Sequence, residues 1–580
     1  MPRKLREKRQ QRLADETGCT PKPWGGRLSV ALVYPNTYYH AMSNLGFQAV
    51  YQLIQGRHDC LCERVFYPDL DDLEHHRKSG AAVVSFESGR SLNSFDIIAL
   101  SLSFENDYIN LPTLFDLARI VLCKEQRNED SPLVIAGGIC AFMNPEPIAD
   151  YVDLFVVGEA EVLLPHLLDQ LQIDGSHYEV LERLSQQQGY YVPARYQLTY
   201  GDDGTVTAIQ PLANACFPVQ RCWVEDLNTT RCQSLIKTPH TAFGSMDLIE
   251  VSRGCSRGCR FCATGFVYLP PREKSAATVM TQLQSALCSD CTAGLVGAAV
   301  SDYSSLDEVT AQVIATGAQV SVASLRIDTM TRQQVQILRQ LGQKTLSLAP
   351  EAGSQRLRDL INKHLSEEQI LNAVTLLVEE GVLNLKLYFL IGLPTEDSDD
   401  HEELVALITK IRQIWLDVQR VKGHLGTITL SVNPFIPKPM TPFQWVGMAP
   451  VAQLKRTINM LRKRINRLPN TKLQVESLRS AQLQAVLARG DRRIAQILPA
   501  LSEGANLNAA CREQGIDPKF YAQRQRQQTE VLPWDVIDGG VDKSYLWREY
   551  QQGLAEALSP PCQKNCHRCG VCMPQKENIT

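Results

Sequence analysis

Two stretches of this chain alternate short, wholly apolar runs with segments of helical apolar spacing, and that alternation constrains the fold more than any other feature. Parallel strands need long crossover connections, and a sheet covered on both faces by those crossovers is built from unbroken apolar strands. The first stretch reads "RLSVALVYPN", "FDIIALSLS", "SPLVIAGGIC" and "VDLFVVGEAE", with "SNLGFQAVYQLIQ" and "LPTLFDLARIVLCKEQ" as intervening helices. It predicts an α/β fold that begins with a doubly wound, Rossmann-like sheet over residues 27–175. Tyr34-Pro35-Asn36, Gly137-Gly138 and Gly158-Glu159 fall at its strand ends, where such sheets bind ligands.

The second stretch runs from "MDLIEVSRG" through "AGLVGAAVSD", "VSVASLRID", "KTLSLAPEAG" and "LNLKLYFLIGLP" to "GTITLSVNPFIP". Six strand–helix units predict a partial (β/α)6 TIM-like barrel over residues 246–445, open where a full barrel would continue. One of its helices, in "SEEQILNAVTLLVEEG", should end at Gly381. Residues 1–26 form a basic N-terminal extension, and residues 176–245 a connector with a hairpin in "YGDDGTVTAIQ". Residues 446–555 read as helical, and residues 556–580 as a cysteine-rich tail.

At 580 residues the chain exceeds one ordinary core, so several domains are expected. Its formal net charge of -4 gives no general attraction to nucleic acid or membrane. "MPRKLREKRQQRLADE" lacks the apolar core of a signal peptide, and no later run reaches a membrane-spanning length. A cytoplasmic protein is expected, in which 18 cysteines do not form a disulfide framework and their clustering carries the information.

The stretch "CSRGCRFC" holds Cys255, Cys259 and Cys262 at the end of a predicted strand. A disulfide takes two cysteines and a closed zinc site usually four ligands. Three thiolates on a loop suit a four-iron cluster whose fourth iron remains free for a substrate or cofactor, and a zinc site completed elsewhere is the plainer alternative. The C-x3-C-x2-C spacing, the aromatic Phe261 before the last cysteine and the position after the first strand resemble the radical S-adenosylmethionine superfamily. That resemblance implies an enzyme whose [4Fe-4S] cluster, on Cys255, Cys259 and Cys262, cleaves S-adenosylmethionine reductively to a 5′-deoxyadenosyl radical. It further implies that the backbone near Phe261 helps place adenine, that Ser301 and Asp302 meet the methionyl amino group, and that Arg326 meets the carboxylate. Glu351 in "APEAGS" would meet the ribose, and Gly392 and Pro394 in "YFLIGLPTE" would approach adenine by backbone. Taken singly, each of these positions suits a helix cap or turn equally well. A flavodoxin- or ferredoxin-type reductant is the implied protein partner.

The tail sets Cys562, Cys566, Cys569 and Cys572 in the spacing C-x3-C-x2-C-x2-C. Four thiolates so close together can close a second [4Fe-4S] cluster, and zinc would be satisfied equally. Cys216, Cys222 and Cys232, and the pair Cys288 and Cys291, have no such spacing and carry no assignment.

The front sheet resembles the cobalamin-binding domain that precedes many radical enzymes, although the D-x-H-x-x-G signature is missing and His40 lies outside any such motif. Over residues 27–572 the chain resembles a bacterial family that joins a cobalamin-binding-like domain, a radical barrel and a cysteine-rich tail. "YPNTYYHAMSNLGFQ", "VSRGCSRGCRFCATGFVYLPPREKS", "NPFIPKPMTPFQW", "LARGDRR" and "CHRCGVC" carry that likeness. With cobalamin bound, it implies a transferase that methylates an unactivated carbon. Without cobalamin, a methylthiotransferase-like sulfur insertion or a redox rearrangement would use the tail cluster. A non-catalytic iron-sulfur sensor or scaffold is the reading of another class. An RNA substrate is suggested by Lys455, Arg456, Arg462, Lys463, Arg464 and Arg467, joined by Arg489, Arg492 and Arg493, although charge runs on helices are commonly solvated faces.

Overall fold

The computed structural model describes every residue except 1, 20, 285–291, 323–325, 341–343, 424, 564–565 and 573–580; Cys288 and Cys291 therefore lie outside the described residues. Two compact units draw on interleaved segments. One comprises residues 1–249, 486–521 and 529–539, and the other residues 250–485, 522–528 and 540–580.

The first unit opens with helix α1 (Arg3–Ala14) and is centred on strands β1 (Leu28–Tyr34), β2 (Cys60–Phe66), β3 (Ile97–Ser101), β4 (Leu133–Gly137), β5 (Leu154–Val156) and β6 (Tyr190–Tyr191). They align in the order β2-β1-β3-β4-β5-β6. Neighbouring strands run parallel except β5 with β6, which places the topological switch point between β1 and β3. Helix α2 (Leu45–Gly56) starts where the Asn44 side chain accepts from the Phe47 N–H at 2.9 Å, and it buries Phe47, Tyr51 and Ile54 against the sheet. The predicted hairpin is present as Tyr196–Tyr200 paired antiparallel with Val206–Pro211.

The crossover from β4 to β5 carries the short helix Ile139–Met143 and a single 3-10 turn, Glu146–Ile148. Residues returning from the far end of the chain pack on it: Asn144 Nδ2 donates to the Ala488 and Gly490 carbonyls at 3.0 and 2.8 Å, and Tyr151 Oη donates to the Ala495 carbonyl. Arg492 pairs with the fully buried Glu146 at 2.9 Å. These ties explain why residues 486–521 belong with the front sheet and not with the helices that precede them.

The first barrel strand, β7 (Asp247–Glu250), ends the first unit's opening segment, and the second unit carries the rest: β8 (Thr292–Val296) pairs with β9 (Gln319–Val322), and β10 (Thr345–Glu351), β11 (Asn384–Ile391), β12 (Ile428–Pro434) and β13 (Thr471–Val475) form a four-stranded sheet. The pairings β8 with β9 and β10 through β13 are all parallel. β13 is a seventh strand, lying where the sequence reads as helical. Its "TKLQV" is half exposed and follows helix α3 (Val451–Ile465), so no apolar run marks it; pairing with β12 makes it a strand. Helix Glu367–Glu379 has a Ser366/Gln369 capping box, and the chain leaves it through Gly381 at φ +80°, as expected. Helix α4 (Lys543–Leu554) packs Leu546 and Tyr550 into a cluster with Phe266, Leu360, Phe443 and Trp445, which underlies the cysteine loop.

Candidate active site

The cysteine loop leaves the barrel through a two-stranded ribbon in which Ser252 and Arg253 pair with Glu273 and Arg272. Gly254 sits at φ +85°, where a Cβ would lie 2.5 Å from the Tyr268 carbonyl oxygen, so the entry to the loop admits only glycine. Within the loop the Cys262 N–H donates to the Cys259 carbonyl at 3.0 Å, and the Arg260 N–H donates to the Ile361 carbonyl at 3.0 Å. All three cysteines are free and half-buried. Phe261 packs on the cluster beneath them. Burial raises the Cys255 thiol and pushes the Cys259 thiol up to about 11, with the Lys363 and Arg326 cations pulling Cys259 the other way.

Three strand ends converge on this loop. Ser301 and Asp302 lie in the turn Val300–Asp302 beyond β8. Arg326 follows β9, and its N–H donates to Ser301 Oγ at 3.2 Å. Arg257, inside the cysteine motif, is bidentate on Asp302 at 2.6 and 2.8 Å and reaches Asp328 at 3.2 Å. Arg326 pairs with Asp328 at 3.0 Å and stands 3.8 Å from Asp302. Two guanidiniums and two carboxylates thus form one half-buried lattice beside the thiols. Sequence reasoning missed Arg257 and Asp328; the first lies in the motif itself, and the second is the next outward position after Arg326 in "LRID".

Glu351 ends β10 just after a register shift, at φ +67°, a conformation unusual for a side chain of its kind. Its carboxyl is raised by burial, against the pull of Lys363 at 3.2 Å, the same cation that acts on Cys259. Gly392 and Pro394 follow β11, the strand that pairs with β10. Gly392, at φ +78°, faces Leu454 and Ala449, which a Cβ would meet at 2.8 and 2.9 Å. Packing by the chain beyond the barrel accounts for that glycine.

The tail lies against the same loop. The Cys562 N–H donates to the Ser256 carbonyl at 2.7 Å. Arg568 Nε donates to Cys566 Sγ at 3.2 Å, and, against burial, its backbone and guanidinium hold the Cys566 thiol below its ordinary value. Cys562 lies in the electrostatic field of Cys566, Cys569 and Cys572, and burial pushes its thiol up to about 11. A small crevice is lined by Ser256, Gly258 and Gly265 of the loop and by Cys562, Cys566 and Cys569 of the tail. Among the described residues no three His, Cys, Asp or Glu side chains converge as one bound ion requires; a cluster with one thiolate on each iron asks for no such convergence. The donor chemistry, soft thiolates on two neighbouring loops, fits iron-sulfur ligation.

In the first unit the switch-point crevice is bridged by the protein's own side chains. Asn36 Nδ2 donates to Asp107 Oδ1 at 2.7 Å, Asn44 Nδ2 to Ser103 Oγ at 3.1 Å, and Asn110 Nδ2 to the Pro35 carbonyl at 2.9 Å. His40 is exposed and bonded to Thr37 Oγ1 at 3.0 Å. A ligand entering at this edge would exchange those bonds for its own. Of the suggested basic patch, Arg489 is fully buried, Arg492 pairs with Glu146 and Arg493 with Asp491 at 2.6 Å. Only the residues on and after α3, Lys455 to Arg467, are exposed.

A barrel whose first strand delivers three thiols, with charged groups from the next strand ends around them, defines a radical S-adenosylmethionine domain. The family described as "Radical SAM superfamily" matches residues 249–408, and "Radical SAM proteins, N-terminal" matches residues 46–193. Over those two stretches the chain is similar to radical SAM proteins. It is 29% identical over 498 residues to the uncharacterized protein MJ0966 of Methanocaldococcus jannaschii, covering 85% of this chain and 95% of that one. Among solved structures it is similar to the cobalamin-dependent S-adenosylmethionine radical enzyme OxsB with aqua-cobalamin bound, at 13% identity and TM-score 0.46, over 82% of this chain and 66% of that chain. It is also similar to coproporphyrinogen III oxidase (HemN) from Escherichia coli, at 12% identity and TM-score 0.27, over 47% of this chain and 79% of that chain. No helix among the described residues is long and apolar enough to cross a membrane.

Proposed function

We propose that the cysteine loop and the charged lattice beside it cleave S-adenosylmethionine reductively to start a hydrogen abstraction. The chemistry supplied by a bound [4Fe-4S] cluster is one-electron reduction of the sulfonium, which releases methionine and a 5′-deoxyadenosyl radical. Cys255, Cys259 and Cys262 would hold that cluster. Asp302 and Ser301 would receive the methionyl amino group, Arg326 the carboxylate and Glu351 the ribose; Phe261, Gly392 and Pro394 would border adenine. Arg257 fixes the Asp302 carboxylate, so the pocket's polarity is set before a ligand arrives. The observation that carries the reading is the arrival of Asp302 and Arg326 from separate strand ends beside the thiols.

The reaction that follows is read as a transfer. A second [4Fe-4S] cluster on Cys562, Cys566, Cys569 and Cys572 supports sulfur insertion of the methylthiotransferase kind, or a redox rearrangement, with a flavodoxin- or ferredoxin-type reductant in the cytoplasm. Cobalamin-assisted methylation is the second reading, favoured by the front sheet's parallel order; the Asn36–Asp107 bridge weighs against it. An RNA substrate would rest on α3 alone.

The experiment is anaerobic reconstitution with iron, sulfide and hydroxocobalamin, followed by metal analysis and assay for 5′-deoxyadenosine. Iron near two cubanes without cobalt, with product formed, supports the first reading. Retained cobalt moves the account to methylation. Iron without product would support a sensor or scaffold.

A further inference from the structure

Arg260 stands between Cys259 and Cys262, yet its fully buried guanidinium serves the far end of the chain. It donates to the Ala557 carbonyl at 2.8 Å and to Ser559 Oγ at 3.1 Å, and pairs with Glu549 on α4 at 3.3 Å. Asn362 works from the other side. Its Nδ2 donates to the Gly258 carbonyl at 3.2 Å, and its Oδ1 accepts from the Ser559 N–H at 2.9 Å. Three residues later Cys562 bonds the Ser256 carbonyl. Both intervals between the loop cysteines are therefore tied to the segment that leads into the tail.

We propose that the cysteine loop and the tail are one bipartite metal-binding unit, in which a cluster on the four tail thiols slows loss of the cluster on Cys255, Cys259 and Cys262, with Asn362 and Arg260 as positioning residues. This rests on the proposed role of the loop as a cluster site. A cluster on the tail fixes residues 557–562; those residues fix the loop's backbone, and binding that selects one loop conformation lowers the cost of ligation there. Thermodynamic linkage makes the effect reciprocal.

The test uses the full chain, reconstituted anaerobically with iron and sulfide and then exposed to a chelator. Loop occupancy is read from the change in the reduced cluster's electron paramagnetic resonance on adding S-adenosylmethionine. Cys569→Ser with Cys572→Ser, which empties the tail, should speed loss of that signal several-fold, and Cys259→Ala should likewise speed iron loss from the tail. Asn362→Ala should weaken the dependence of loop loss on tail occupancy while the tail retains iron, which general destabilisation would not do. Loop loss at the wild-type rate with an empty tail, or an unaltered dependence in Asn362→Ala, overturns the coupling alone. Should tail variants fail to fold, the Cys259→Ala measurement decides it, and unchanged tail loss there overturns it. A wild-type loop that takes up no iron overturns both this inference and the proposed function.

Discussion

The guanidinium of Arg257, two residues after Cys255, lies bidentate on the carboxylate of Asp302, with Nη2–Oδ1 2.6 Å and Nε–Oδ2 2.8 Å. The cysteine loop thus holds in place the group that would receive the amino end of S-adenosylmethionine. A bidentate arginine pair fixes direction as well as charge, so the Asp302 carboxylate is held in one orientation.

Asp302→Asn keeps the shape and removes the charge that both arginines share. Affinity for S-adenosylmethionine, measured by calorimetry on the reconstituted protein, should fall about tenfold or more, or about 1.4 kcal/mol. Unchanged affinity would mean that Asp302 does not touch the ligand.

Asp107 supplies a pH signature in the front unit. Burial raises its carboxyl to about 6, the Asn36 bond opposing and Glu105 adding to the rise. The folded value lies above that of the unfolded chain, so between about pH 4 and pH 6 the unfolded state loses its proton first and stability falls as pH rises. The total is roughly 3 kcal/mol. Asp107→Asn should raise the denaturation midpoint at pH 7.5 and leave it nearly unchanged at pH 4; equal effects at both values would contradict the assignment.

Glu146 is fully buried, and Arg492 is its ion-pair partner. Arg492→Leu leaves a buried carboxylate without its cation and should cost about 3–5 kcal/mol in urea unfolding. Glu146→Gln in the same chain should recover much of that loss. A near-neutral Arg492→Leu would show the pair to be dispensable to the returning segment.

The exposed cations of α3 bear on the RNA reading. Replacing Lys455, Arg456, Lys463 and Arg464 by Gln should lower RNA affinity at low salt and flatten its salt dependence, by a slope of roughly 0.7 for each phosphate that is no longer neutralised. Binding that ignores these changes leaves that reading without support.

The strand–helix alternation of both units and the cysteine motif were legible in the sequence, because apolar runs and motif spacing are local signals. β13 was not, because its half-exposed "TKLQV" gains strand geometry only from pairing with β12. Nor was the return of residues 486–521 to the front sheet, since "LARGDRR" reads as a solvated basic run until Asn144 and Glu146 receive it. Arg260 and Asn362 escaped for the same reason: each acts on backbone nearly 200 or 300 residues away along the chain.

The proposed function requires that the thiols of Cys255, Cys259 and Cys262 support reductive cleavage of S-adenosylmethionine. The direct measurement is 5′-deoxyadenosine formed by the reduced, reconstituted chain and by Cys259→Ala carrying an intact tail. Product is expected from the first and none above background from the second. Equal product from both, or none from either despite iron bound at the loop, would contradict it.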